Sequence, residues 1–241
     1  MMLHIVQFSL GAGSAVAAKL VIDEYGHDNT VLMWHDTKAE HPDSARFAQQ
    51  VSDYLNHPIT EVSDGRDLWQ LIDDHHCLPS DRIPFCSGDL KGDPAAKYYK
   101  SLLAEGHTFV LYNGMGPDEH LRAQNTLARE TARGYAIRFP LIEHRVFQPK
   151  EVVKSWGICL PSAYEHLPHN NCIPCFKAKD RGYWYAIWKH YPEQYWKAEA
   201  MERKWNHTVL PTISLAELAL IFAQSDTPPL MEFDPPCSCM A

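Results

Sequence analysis

The sequence predicts an α/β protein with a doubly wound, mainly parallel sheet, followed by a helical lobe rich in aromatic residues. Short apolar segments alternate with amphipathic ones over the first part of the chain, which is typical of a parallel sheet covered by helices on both faces. The first apolar segment leads directly into a glycine-containing turn and a helical pattern. After about Pro140 tryptophan and tyrosine become frequent, which is more typical of helix packing than of a base-stacking surface.

The periodicity of apolar residues defines each element. The predicted strands are Leu3–Phe8, Thr30–Trp34, Ile59–Val62, Thr108–Tyr112 and Tyr135–Phe139. The predicted helices are Ser14–Glu24, Pro42–Asn56, Gly65–Asp73, Pro94–Glu105, Pro117–Arg133, Asp180–His190, Pro192–Lys204 and Leu215–Gln224. We expect an α/β domain over residues 1–145 and a cysteine-containing helical lobe with a Cys-x-Cys tail over 146–241.

Composition limits the classes of partner. The formal net charge of −8 at pH 7 opposes broad electrostatic binding to nucleic acid. A local basic stretch is still present, which forms either a solvated helix face or a phosphate site; it comprises Arg122, Arg129, Arg133, Arg138 and Arg145. No apolar run is long enough to span a membrane and no signal peptide is visible, so a cytoplasmic protein is expected.

The turn from Ser9 to Ser14 predicts a phosphate site. A strand, a glycine turn and a helix N-terminus direct backbone N–H groups and a positive dipole end toward an anion. Gly11 and Gly13 would let the backbone approach a phosphate or adopt positive φ. Ser9 and Ser14 would add hydroxyl donors, and Ser14 also suits an N-cap. The alternative is a tight turn whose glycines serve packing, since the spacing matches neither common phosphate-binding fingerprint.

Two further polar segments follow predicted strands. Asp36-Thr37 comes after the second strand, and Asn113-Gly114 comes after Thr108–Tyr112. Because ligands bind beyond the carboxyl ends of parallel strands, we expect both segments to lie near the Ser9–Ser14 turn.

Seven cysteines, an odd number, favour metal, cluster or sulfur chemistry over a disulfide framework in a cytoplasmic protein. Cys172 and Cys175 form a C-x-x-C motif, which suits a metal ion, an iron–sulfur cluster or a redox pair. Cys86 and Cys159 would complete a cluster site. The alternative is structural zinc, bound either by four thiolates or by three thiolates and His169. Cys237 and Cys239 could carry a reactive thiol into a site or donate a ligand, the alternative being a disordered end.

The ordered series of motifs resembles the PAPS reductase family of the adenine nucleotide α-hydrolase (PP-loop) superfamily. The resemblance spans nearly the whole chain and is closest to short members from phages and defence islands, a group that includes ATP pyrophosphatases of DNA phosphorothioation systems. The loop carries Gly13 where ATP pyrophosphatases of the superfamily usually carry Asp. The matching segments are Ser9–Ser14, His35–Thr37, His41–Ser44, Ile83–Ser87, Leu90-Lys91, Gly114–Arg122, Phe139–Glu143, Pro149–Val153, Leu160–Tyr164, His169–Cys175 and Cys237–Cys239.

The resemblance implies a nucleotide-dependent sulfur-transfer enzyme. It would bind ATP, with Mg²⁺, and adenylate an acceptor for thiolation; Arg122, Cys237 and Cys239 would be catalytic. The acceptor could be DNA or tRNA, the sulfur donor a cysteine desulfurase, and the protein could form a homo-oligomer. A reductase of adenylyl sulfate and a non-catalytic nucleotide-binding sensor or assembly protein are the alternatives. The implied nucleotide-binding residues are Ser9, Gly11, Ala12, Gly13, Ser14, Asp36, Thr37, Gly114 and Glu119.

Overall fold

A single parallel sheet organises the first part of the protein. The structure is a computed structural model that describes residues 1–170, 172–225 and 228–231. Its strands are β1 (Met2–Gln7), β2 (Thr30–Asp36), β3 (Ile59–Ser63), β4 (Thr108–Tyr112) and β5 (Ala136–Arg138). All pairings are parallel and the spatial order is β3-β2-β1-β4-β5. The predicted fold class is therefore confirmed, and the strand order reverses between β1 and β4.

Helices connect the strands and form the second part of the chain. Every predicted helix is present with boundaries shifted by a few residues at most, and three short helices were not predicted. The helices are α1 (Ala12–Tyr25), α2 (Asp43–Leu55), α3 (Leu68–His75), α4 (Phe85–Ser87), α5 (Asp93–Ala104), α6 (His120–Ala132), α7 (Pro140–Glu143), α8 (Pro149–Ser155), α9 (Arg181–His190), α10 (Pro192–Trp205) and α11 (Leu215–Gln224). None of the described helices is long and apolar enough to cross a membrane.

The sheet has a hydrophobic core on each face. Successive side chains of a strand point to opposite faces, so Leu3 and Ile5 of β1 pack with α5 and α6. Val6 and Phe8 pack with α1, α2 and α8 on the other face. A strand covered on both faces carries an almost continuous apolar run, which explains the composition of β1.

The aromatic residues of the last helices form a third core. Trp184 and Tyr195 are completely buried in it, and their polar atoms donate to the carbonyl oxygens of Ala178 (2.9 Å) and Leu215 (2.7 Å). The predicted packing role of these aromatics is thus confirmed. Leu68 of α3 belongs to the same core, whereas α8 packs against α1. The division at residue 145 stays a prediction.

Candidate functional site

A cavity of about 740 Å³ opens beside the carboxyl ends of β1 and β4. This is the position at which the strand order reverses, where α/β sheets commonly bind ligands. Segments on both sides of the β1–α1 loop contribute to the wall. The lining residues used below are Ser9, Gly11, Ala12, Gly13, Ser14, His35, Glu40, Lys91, Gly114, Asp118, Glu119, Arg122, Lys150, Glu151, Tyr164, Asn170 and Cys172.

The β1–α1 loop reaches the cavity through a short, braced turn. Helix α1 begins at Ala12, with Gly11 as its N-cap, so the predicted N-cap role of Ser14 is wrong. The Ser14 hydroxyl instead donates to the Gly11 carbonyl oxygen (2.9 Å) and accepts from the Gly11 N–H (3.3 Å). Leu10 adopts a φ of 58°, and neither loop glycine has positive φ. The predicted positive-φ role of Gly11 and Gly13 is therefore wrong, because Leu10 makes the sharp bend.

Gly13 is required for close backbone packing. A Cβ atom at Gly13 would lie 2.5 Å from the carbonyl oxygen of Gly114, and one at Gly114 would lie 2.6 Å from the backbone of Gly13 and Ser14. The first turn of α1 therefore packs directly on the β4–α6 connection. A side chain at position 13 would therefore clash with the backbone of this connection unless one of the two moved.

The start of α1 offers hydrogen-bond donors to the cavity. The Ala12 N–H donates to the Tyr164 hydroxyl (3.3 Å). The N–H groups of Gly13 and Ser14 have no acceptor in the part of the chain that the structure describes. Unbonded N–H groups at a helix N-terminus favour an anion.

On the β4 side, polar groups are bonded to one another. Asn113 donates to the Gln7 side chain (3.0 Å) and accepts from the Met115 N–H (3.1 Å). Glu119 accepts from the Gly116 N–H (3.1 Å) and pairs with the Arg122 guanidinium. Burial lowers the pKa of Arg122, and the neighbouring Glu119 opposes that shift. Arg122 thus lies at the predicted site with its charge compensated by a carboxylate.

On the β2 side, His35 is buried in the cavity wall. Only 4% of its surface is exposed, and neither ring nitrogen has a hydrogen-bond partner in the described part of the chain. Burial lowers the pKa of His35 to about 3, with a smaller contribution from the positive charge of Lys91, so the ring is neutral near pH 7. Lys91 forms no ion pair with any described residue.

Asp36 and Thr37 support this side without lining the cavity. The Asp36 carboxylate accepts from the Lys38 N–H (2.9 Å). Thr37 is fully buried, and its hydroxyl donates to Glu40 (2.7 Å) and lies 3.5 Å from the Cys172 sulfur. Their predicted contact with a nucleoside stays a prediction.

The predicted ligand cysteines are placed unequally. Cys172 lines the cavity. Cys175 and Cys86 both lie close enough to Cys172 to feel its charge, and burial is the main cause that raises the pKa of both, to about 12 for Cys175. Cys159 is exposed, and its carbonyl oxygen accepts from Arg46 (3.1 Å). Cys237 and Cys239 lie outside the described residues.

The arrangement of the described thiols does not form a ligand shell. In residues 1–170, 172–225 and 228–231, no group of three or more histidine, cysteine, aspartate or glutamate side chains is placed to hold a metal ion. A tetrahedral zinc site or a cluster requires such a convergence. The iron–sulfur and zinc alternatives stay predictions, and no chemical step below depends on them.

The predicted basic stretch is largely compensated by acids. Arg129 and Arg133 pair with Glu130, and Arg138 pairs with Glu24 and Glu143. Together with the Arg122–Glu119 pair, these contacts reduce the positive potential that a polynucleotide would meet.

Several cavity residues were not assigned a role from the sequence, among them Asn170, Tyr164 and Lys150. Asn170 is buried and donates to the Leu10 carbonyl oxygen (2.7 Å), and it accepts from Ser44 (3.1 Å). Tyr164 meets the start of α1, and the Lys150 ammonium lies 4.0 Å from the centre of its ring. All three residues lie in segments on which the sequence resemblance was based, and that resemblance was the signal available for them. Their contacts depend on tertiary packing.

Comparisons with known proteins give limited information. No protein-family model matches the chain, and no curated protein matches it significantly. Among solved structures, the chain is similar to phosphoadenylyl-sulfate (PAPS) reductase from Candida auris in a phosphate complex, with 13% identity and a TM-score of 0.48. The similarity covers 68% of this chain and 76% of that one.

Proposed function

We propose that this protein is a nucleotide-dependent sulfur-transfer enzyme of the PAPS reductase family. One observation carries the proposal: a single cavity is lined both by the start of α1, with its unbonded N–H groups, and by the Cys172 thiol. The N–H groups suit a phosphate. A thiol in the same cavity suits sulfur chemistry on a group that the nucleotide activates.

The charges around the cavity favour a nucleotide that brings Mg²⁺. Three lysine and arginine side chains, Lys91, Arg122 and Lys150, face four carboxyl side chains. Bare ATP would be repelled by this excess of acid, whereas Mg²⁺ bound to phosphates commonly takes one or two protein carboxylates as ligands. The carboxylates are Glu40, Asp118, Glu119 and Glu151.

In the proposed reaction, an acceptor oxygen attacks the α-phosphorus of ATP and pyrophosphate leaves. A sulfur nucleophile then replaces the adenylated oxygen and AMP leaves. The N–H groups of Gly13 and Ser14 would hold phosphate oxygens, and Arg122 would stabilise the charge that develops on them. The acceptor, which we propose is DNA or tRNA, and a cysteine desulfurase as sulfur donor remain part of this proposal.

Nucleotide binding and pyrophosphate release test the proposal. Ser14→Ala removes the hydroxyl that braces the turn, so we expect about fivefold weaker ATP binding, the equivalent of one hydrogen bond. Ser101→Ala is the matched control, since that hydroxyl donates to a backbone carbonyl on exposed α5. Calorimetric titration measures affinity, and a coupled assay measures pyrophosphate.

The alternatives give different results in the same experiment. Sulfite release from an adenylyl sulfate, without pyrophosphate release from ATP, would favour the reductase. Nucleotide binding without turnover of either compound would favour the sensor. Wild-type protein that binds no adenine nucleotide would contradict the proposal.

A further inference from the structure

Among the described cysteines, Cys172 is the one that lines the cavity. Cys172 is part of its wall, whereas the half-buried Cys175 and Cys86 do not line it, and neither do Cys77 and Cys159. A reagent that enters the cavity therefore meets Cys172 first. Cys175 packs against the third core, where it is partly buried, and its backbone N–H donates to the Tyr183 hydroxyl (2.6 Å).

Neighbouring groups fix the direction of the Cys172 thiol. The Thr37 hydroxyl donates its hydrogen to Glu40 (2.7 Å), whose carboxylate also accepts from the Thr37 and Ala39 N–H groups. The Thr37 oxygen then has a lone pair for the Cys172 thiol, at 3.5 Å. Thr37 is completely buried, whereas Cys172 is half-buried, so the contact joins the cavity wall to the interior.

A second, independent observation indicates that a polar ligand binds on this side of the cavity. Both ring nitrogens of His35 lack a partner among the described residues, although the side chain is almost fully buried in the cavity wall. Buried polar atoms are nearly always hydrogen-bonded, so an unbonded pair points to a missing partner. Lys91, which has no ion pair among the described residues, places a cation beside it.

We propose that Cys172 accepts sulfane sulfur from a persulfide, R–S–SH, and carries it in the cavity. This inference deepens the proposed function, on which it rests for the fate of the sulfur. The Cys172 sulfur attacks the outer sulfur of the donor, and the donor S–S bond breaks. R–S leaves with the proton from Cys172, and Cys172 becomes a persulfide. One S–S bond replaces another, so the step needs no oxidant or reductant.

Glutathione persulfide tests the carrier role in the absence of nucleotide. The full-length protein is treated, free thiols are alkylated, and the peptides are analysed by mass spectrometry. We expect Cys172 to gain one sulfur atom, and loading of Cys172 to slow when ATP and Mg²⁺ are present. The exposed Cys159 is the internal reference, and its loading should not change with nucleotide.

Thr37→Val separates the proposed geometry from simple accessibility. Loss of the hydroxyl contact should slow loading of Cys172 about fivefold relative to Cys159, as expected for one hydrogen bond. Glu40→Gln changes the hydrogen-bond partner of Thr37 without changing the size of the side chain, and it should also slow the loading of Cys172 relative to Cys159. Urea unfolding of each variant establishes that the protein is folded.

Several results would overturn the inference. One is sulfur on Cys159 with none on Cys172, and another is loading of Cys175 or Cys86 before Cys172. A third is a loading rate of Cys172, relative to Cys159, that is the same in both variants as in wild type. The fourth is a Cys172 that does not react in protein containing stoichiometric iron or zinc. The outcome is separable from the proposed function. If Cys172 is loaded but no pyrophosphate is released, only the proposed adenylation step is contradicted. If pyrophosphate is released but Cys172 is not loaded, only the carrier role of Cys172 is contradicted.

Discussion

The two sides of the β1–α1 loop are built differently. On the β4 side, Gly13 and Gly114 are in backbone contact, and the polar groups of Glu119 and Arg122 satisfy one another. On the β2 side, the ring nitrogens of His35 have no hydrogen-bond partner and the Lys91 ammonium has no ion-pair partner among the described residues. The difference indicates that the β4 side sets the shape of the loop, while the β2 side keeps unsatisfied groups that a ligand can bind.

The largest expected effect is on the β4 side, from Gly13→Ala. The added Cβ would meet the Gly114 carbonyl oxygen at 2.5 Å, so the helix must move away from the β4–α6 connection. We expect the free energy of unfolding to fall by about 3 kcal/mol, as for severe overpacking. Urea denaturation measures this change.

Gly88→Ala is the control for that substitution. A Cβ at Gly88 meets nothing within 4 Å, and its φ is −66°. We expect its stability to be unchanged or slightly higher, because alanine restricts the unfolded chain. Equal stability of the two variants would contradict the packing role of Gly13.

The second prediction concerns the acid dependence that His35 gives to the β2 side. Its pKa is about 3 in the folded protein, against 6.5 for an unperturbed histidine. The unfolded chain therefore binds a proton first as the pH falls. The contribution of His35 to stability is complete above pH 6.5 and declines between pH 6.5 and 3, by at most about 1.4 kcal/mol per pH unit.

His35→Leu should remove this slope. Between pH 7 and pH 5, the free energy of unfolding should fall by about 2 kcal/mol more in wild type than in His35→Leu. Urea unfolding at several pH values measures it, with the exposed His207→Leu as control. Parallel curves for wild type and His35→Leu would show that the ring is not held neutral by burial.

The third prediction tests how the loop is tied to the second part of the chain. Asn170→Ala removes the donor to the Leu10 carbonyl oxygen, at the bend that shapes the turn. We expect a loss of about 1 to 2 kcal/mol in unfolding free energy, because a buried acceptor loses its partner. Ser44→Ala removes only the second contact of Asn170 and should cost less. A greater loss in Ser44→Ala would argue against the importance of the Leu10 contact.

The smallest effect is expected from Lys91→Gln on the β2 side. Lys91 is the lesser cause of the lowered pKa of His35, and burial is the main one. Removing this charge should raise the folded pKa of His35 slightly, so the acid loss of stability should become slightly smaller and end at a slightly higher pH, without disappearing. If Lys91→Gln removed as much of the acid slope as His35→Leu does, charge and not burial would be what keeps the ring neutral.

Much of the architecture follows from local sequence patterns. The spans of β4 and α11 agree exactly with the predicted ones, because each is a strongly apolar segment between clear boundaries. The loop at Ser9–Ser14 and the Asn113-Gly114 segment were expected at one edge of the sheet, and both line the cavity. A parallel sheet brings the carboxyl ends of its strands together whatever the details of packing, so topology was sufficient for this inference.

The sequence by itself determined the elements, their parallel arrangement and the edge at which a site would form. Only the tertiary structure decided that Gly13 packs against Gly114, that Leu10 makes the bend, and that Cys172, but not Cys159, meets the cavity. The first and third of these features bring together residues about 100 or more positions apart, and the Leu10 carbonyl at the bend accepts from Asn170. Periodicity and propensity report local conformation, whereas close approach and burial depend on how distant segments pack.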